Sequence, residues 1–174
     1  MKNFPNLKKP SHLLATFFGI GLMPLAPGTW ASLATLLLFF IFIFFQLSII
    51  FFLIILICLI FLSIISCELA SKNLAEKDHK AIVIDEVAGA WLSFTFIAIL
   101  GLYDFSLAQW EEGSYLTAIL LVVLFRFFDI LKPHPISFID KKFKSGTGIV
   151  LDDLLAGIFA GLTLLGGNFF INFL

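Results

Sequence analysis

Apolar positions run along this chain in blocks too long for a globular core, broken only by short polar passages. From Pro10 to Cys67 there is no Asp, Glu, Lys or Arg. At about 20 residues per crossing, a run of that length predicts more than one transmembrane helix. Its punctuation divides it. Residues 11–27 are interrupted by Gly19, Gly21, Pro24 and Pro27, which suits a segment lying in the membrane interface or dipping in and returning. Pro27-Gly28-Thr29 then opens a first span over about 28–45, with Thr29 near the N-cap. A hydroxyl and free backbone N–H groups at such a terminus also suit an anion. Gln46-Leu47-Ser48 reads as a turn into a second span, about 48–67.

The next segment, 68–86, is polar, with Glu68, Lys72 and Glu76 four apart, so the second helix is expected to run on as an amphipathic extension. A third span covers about 87–102 and begins Val-Ala-Gly-Ala, small residues that permit close packing. A loop follows at 103–114 with Asp104, Glu111 and Glu112. The fourth span is about 115–131. The fifth, about 154–174, carries Ala156, Gly157, Ala160 and Gly161, a small-xxx-small face. The fold class expected is an all-α integral membrane protein of about five transmembrane helices plus a short N-terminal segment, in one domain over 1–174.

Composition agrees: 60% of residues are hydrophobic, 23 are Phe, and only 13% are charged, with a mean hydropathy of +1.07. A soluble chain of this length could not hide that surface. The net charge of −1 gives no field for nucleic acid. Cys58 and Cys67, nine residues apart, fall on opposite sides of a helix and read as small apolar fillers. Pro-Leu-Ala-Pro-Gly after the first apolar stretch lacks a small-x-small cleavage pattern, so that segment is expected to be retained. Nothing in the pattern selects an oligomeric state.

Lysine placement orients the spans. All ten lysines lie in the N-terminal segment, at 68–86 or at 132–149. Five spans put those segments on one side, which the positive-inside rule makes cytoplasmic. The same side receives nine of the twelve carboxylates, which that rule does not require.

The chemistry gathers there. Arg126, Asp129 and Lys132 recur every third residue at the end of the fourth span. Asp85-Glu86 and Asp152-Asp153 each stand before a span, where one carboxylate would cap a helix and the second remains unexplained. Acids at a membrane edge are costly unless compensated. Clustered Asp and Glu without Cys or dense His favour a hard ion, hence Mg²⁺, with Asp85, Glu86 and Asp152 as candidate ligands. The alternative for Arg126 is an intrahelical pair with Asp129; its functional reading is a guanidinium presented to phosphate, with Lys132 as a second cation. His134, between Pro133 and Pro135, is placed to donate to a leaving group or is a plain surface histidine. Together these residues suit phosphoryl chemistry on a lipid head group. The attacking oxygen is either a metal-bound water or a carboxylate such as Asp129 or Asp153. A small cation transporter or a membrane scaffold would use the same acidic cluster differently, as a polar path or as no site at all.

The motifs Pro27-Gly28-Thr29, DHKAIVIDEVAGAW at 78–91, FRFFDILKPHPISFID at 125–140 and GTGIVLDDLLAG at 146–157 resemble, in order, those of the phosphatidylglycerophosphatase A family. The resemblance covers nearly the whole chain. It implies a Mg²⁺-dependent enzyme of the bacterial inner membrane that hydrolyses the terminal phosphate of phosphatidylglycerophosphate, giving phosphatidylglycerol and inorganic phosphate. The matching positions are Thr29, Asp85, Glu86, Arg126, Asp129, Lys132, Pro133, Pro135, Asp140, Asp152 and Asp153. Asp140 joins Asp129 and Asp153 as a catalytic candidate; Thr29, His134, Arg126 and Lys132 are the substrate-binding candidates. Two departures are Lys80, where the family pattern leads one to expect a small residue, and Ile149-Val150-Leu151, where a Met is common.

Overall fold

A computed structural model describes residues 4–72, 74, 79–99, 103–104, 109–110, 113–143 and 145–173. Its helices are α1 (Pro10–Ala15), α2 (Pro27–Phe44), α3 (Ile49–Ser71), α4 (Ile84–Ile99), α5 (Gly113–Leu131), α6 (Ile136–Lys142) and α7 (Gly146–Phe173), with a 3-10 turn at Ile20–Leu22. The all-α expectation needs one small correction. Two short strands, β1 (Tyr103–Asp104) and β2 (Gln109–Trp110), pair antiparallel between α4 and α5. Glu76, Glu111, Glu112 and Lys144 lie outside the described residues.

Three helices, α2, α3 and α7 to Phe169, are long and apolar enough to cross a membrane. α3 is apolar on every side, and its buried stripe is Phe52, Leu56, Ser63, Ser66, Cys67, Ala70 and Ser71. The small members of that stripe let neighbours approach, while Ile50, Phe51, Ile54, Ile57, Phe61 and Ile65 face outward as a lipid-compatible surface.

α4 is the pivot. Eleven of its 16 residues are buried, because it packs against α2, α3, α5 and α7. Trp91 lies in the aromatic centre of the core, stacked on Phe52 at 5.0 Å, and Phe94 stacks on Phe39 at 4.2 Å. The indole N–H donates to the Phe52 carbonyl at 3.3 Å, so this large ring is buried without stranding its polar atom.

The crossing of α4 and α7 sets the positions that matter for function. Glycines face each other there: a Cβ on Gly89 would stand 2.5 Å from the Asp153 carbonyl oxygen, and one on Gly157 would run into the Gly89 carbonyl. Backbone touches backbone, the close approach that small residues permit. Asp85 precedes Gly89 by one turn, and Asp153 precedes Gly157 by one turn. Glycine contact therefore brings the two acidic pairs together.

α7 starts well before the expected 154. Gly146-Thr147-Gly148 is its first turn and not a loop. The Gly146 N–H donates to the Glu68 carboxylate of α3 at 2.6 Å, a charge-assisted cap on the positive end of the helix. Asp152 and Asp153 consequently sit in the second turn, beyond the reach of the unpaired N–H groups, so the capping explanation fails for that pair. Asp85 and Glu86 do lie in the first turn of α4.

Candidate active site

Three helices and the residue after one of them deliver the polar groups to one end of the bundle. α4 brings Asp85 and Glu86, α5 brings Arg126 and Asp129, α7 brings Asp152 and Asp153, and Lys132 stands just beyond the end of α5. Five carboxylates, Asp85, Glu86, Asp129, Asp152 and Asp153, line a cavity of about 180 Å³ together with Lys132 and Lys80. Asp85, Asp152 and Asp153 are each only 4% exposed, a burial that carboxylates sustain only with compensation.

Two cations supply part of it. The Arg126 Nη1 pairs with Asp129 Oδ2 at 2.6 Å and with Glu86 Oε2 at 3.1 Å. The intrahelical pair anticipated from the sequence thus exists, but the guanidinium also ties α5 to α4. Arg126 is not among the groups lining the cavity; it stands behind two of the acids that do. Its buried Nε has no hydrogen-bond partner among the described residues.

Lys132 bridges Asp152 Oδ2 at 2.5 Å and Asp140 Oδ1 at 2.9 Å. Burial alone would pull the ammonium down, but hydrogen bonds and charge from Asp152 and then Asp140 outweigh it, holding Lys132 above its ordinary range. Its backbone is left-handed, with φ +43°, a conformation costing about 1–2 kcal/mol for a residue with a Cβ. That turn ends α5 and aims the side chain back over the acids; the ion pairs offset the cost.

Glycine also makes room for Glu86. A Cβ at Gly28, in the first turn of α2, would collide with both of its carboxylate oxygens, so the start of α2 backs directly onto the acid. Thr29 itself is exposed and is not the cap. Ala26 occupies that position with φ +53°, Pro27 is the first helical residue, and there is no side-chain cap. The part of this motif that reaches the site is its glycine.

Asp140, on α6, reaches the cluster only through Lys132, and it does not line the cavity. His134 is exposed beside Phe138 and is likewise not part of the lining. Lys80, noted in the sequence only as a departure, does line it. Among the described residues, no three His, Cys, Asp or Glu groups stand together closely enough to hold a metal ion. By donor type, five carboxylates nonetheless suit a hard cation.

A family model for phosphatidylglycerophosphatase A matches residues 13–168. A phosphatidylglycerophosphatase A of Haemophilus influenzae is 38% identical over 155 residues, covering 89% of this chain and 86% of its own. One of Escherichia coli is 32% identical over 152 residues, covering 87% and 80%. A protein of Bacteroides thetaiotaomicron, described as a candidate phosphatidylinositol-3-phosphatase, is 32% identical over 160 residues, covering 88% and 92%. No solved structure matches the chain.

Proposed function

Because the chain belongs to the phosphatidylglycerophosphatase A family, we propose that it hydrolyses the terminal phosphate monoester of phosphatidylglycerophosphate at the acid-lined cavity. It is a membrane protein and a phosphoric monoester hydrolase. The observation carrying the site assignment is the meeting of Asp85, Glu86, Asp129, Asp152 and Asp153 around one cavity at one end of the bundle. α4 and α5 complete a five-span topology in the bacterial inner membrane, with this end at the cytoplasmic face, where the lysine-bearing segments gather.

Charge supports a cation requirement. A cavity walled by five carboxylates would repel a phosphate dianion, and Lys132 is already engaged by one of them, Asp152, and by Asp140 on α6. Mg²⁺ is the ion that Asp85, Glu86 and Asp152 suit, and when bound it would supply charge neutralisation of the phosphoryl oxygens. The chain's own residues do the rest. Arg126 fixes Glu86 and Asp129, Lys132 fixes Asp152, and burial excludes bulk water. A water oxygen attacks phosphorus while Asp153 takes one of its protons. The bond from phosphorus to the glycerol oxygen breaks, and that proton passes to the departing alkoxide. Phosphatidylglycerol and inorganic phosphate leave.

The transporter alternative draws no support from the interior of α2. The buried hydroxyls of Ser32 and Thr35 donate to carbonyls within the helix, at Gly28 and Ala31, and do not form a polar path. The test is phosphate release from phosphatidylglycerophosphate by purified protein in detergent. Chelation should abolish it and Mg²⁺ restore it, while Asp85→Asn and Asp152→Asn should each lower kcat at least a hundredfold. Undiminished release after either substitution would remove that residue from the site.

A further inference from the structure

Lys80 belongs to two cavities at once. One is the acid-lined cavity; the other is a groove of about 520 Å³ between the Gly21–Pro27 segment and His79–Ala81. The groove is built by close approach: a Cβ on Gly21 would collide with the Ala81 carbonyl, and the Val83 N–H donates to the Ala15 carbonyl at 2.9 Å, tying the N-terminal segment to the stretch just before α4. Its wall is apolar and open, with Leu22, Met23 and Leu25 all exposed. Pro27 lines the groove, and the next residue, Gly28, abuts the Glu86 carboxylate. The groove therefore ends where the acids begin, and Lys80 stands at the junction.

The three cations around the site differ in their commitments. Arg126 is engaged by Glu86 and Asp129, and Lys132 by Asp140 and Asp152. Lys80 is exposed, and no carboxylate among the described residues pairs with it. A substrate with a phosphate monoester for the acidic cavity and a second anionic group one glycerol unit away would meet Lys80 with that second group. The phosphodiester of the lipid is such a group, and the apolar groove that shares Lys80 suits its diacylglycerol half.

We propose that Lys80 binds the phosphodiester of the lipid substrate and selects lipids that carry one, with the groove beside it receiving the adjoining glycerol backbone and the start of the acyl chains. This rests on the lipid phosphatase reading. An exposed lysine meeting one anionic oxygen pair makes a charge-assisted contact, and its loss should cost about tenfold in the binding of that group.

Two measurements test the assignment. In the first, purified protein in detergent is assayed on phosphatidylglycerophosphate, which has both groups, and on phosphatidic acid, which has only the monoester. Lys80→Ala and Lys80→Gln should lower the kcat/KM ratio between the two lipids about tenfold, mainly through KM, and Lys80→Arg should restore it. In the second, calorimetry measures binding of short-chain phosphatidylglycerol, which has the diester but no monoester and needs no turnover. Lys80→Ala should weaken it about tenfold. An unchanged substrate ratio, or unchanged phosphatidylglycerol binding, would overturn the role of Lys80. If the wild-type protein hydrolysed neither lipid, the proposed activity would fall, and the calorimetry would still decide whether Lys80 reads the diester.

Discussion

Gly89→Ala offers the sharpest test of how this site is assembled. The added Cβ would stand 2.5 Å from the Asp153 carbonyl oxygen and 2.7 Å from the Phe125 ring. Restoring ordinary contact at 3.4 Å requires α4 and α7 to separate by about 0.9 Å. Both neighbours are buried, and the nearer is main chain, so the cost belongs at the upper end for overpacking, about 3 kcal/mol. Alanine also improves helix propensity by about 1 kcal/mol, which would blur a comparison with wild type. Gly166→Ala makes the better reference. It lies in α7, gains the same propensity, and its Cβ would meet nothing within 4 Å. Between the two variants only the clash differs, and for a chain of this size it should lower Tm by about 6–12 °C. A shift near 1 Å between the acidic pairs should also cost about a hundredfold in kcat. Thermal scans at one fixed rate, paired with phosphate release in the same detergent, would measure both. Equal Tm for the two variants, with kcat within twofold, would refute the claim that glycine contact holds the carboxylates in place.

Two further perturbations follow from the charged groups. Lys132→Met should destabilise the fold by about 3 kcal/mol, because Asp152 loses its cation while buried. The folded-state Lys132 lies above its ordinary value of 10.5, so its contribution is complete below that value and is lost only at still higher pH. The Tm gap between wild type and Lys132→Met should therefore stay constant from about pH 6 to 9; a gap closing within that window would contradict the pairing. His12 behaves in the opposite sense. Burial, then the charge of Lys9, lowers its pKa, and its Nδ1 accepts the Asn6 N–H at 3.0 Å, which requires the neutral ring. The unfolded chain then binds the proton more readily, so stability should fall as pH drops below 6.5. His12→Gln should flatten that slope, and a slope unchanged by the substitution would count against it.

Hydropathy made most of the helices legible. The helices expected at 28–45, 48–67 and 115–131 are found as helices at Pro27–Phe44, Ile49–Ser71 and Gly113–Leu131, the first two of membrane-crossing length and hydropathy. α7 was the exception, for an instructive reason. Gly146-Thr147-Gly148 resembles a turn because glycine is a poor helix former. The glycines are there because Glu68, 78 residues away, presses on Gly146 and the nearby Phe143 on Gly148, contacts that propensity cannot register. Asp85, Glu86, Asp129, Lys132, Asp152 and Asp153 were all recognisable as charge at the end of apolar runs, and all of them line the cavity. For Arg126 the intrahelical pair with Asp129 was legible, but its second partner, Glu86 on α4, was not, because spacing reports a helix face and says nothing of the partner helix. Thr29 and His134 drew notice as functional groups, whereas the groups adjoining the site are Gly28 and Lys80. Gly28 carries no chemistry to notice; Lys80 stood out only as a departure from the family pattern, with nothing to mark it as a site residue.

The early start of α7 has a consequence for where the reaction takes place. Asp152 lies six residues beyond Gly146, about 9 Å down the helix axis, within the stretch apolar enough to cross a membrane. On the proposed function the carboxylates would be recessed below the end of the helix, and the lipid's phosphate would have to leave the plane of its neighbouring head groups to reach them. That descent lengthens in a thicker bilayer and shortens in a thinner one. The acyl chains of the surrounding lipids, without entering the cavity, would then help set how far each substrate molecule has to sink before it can react.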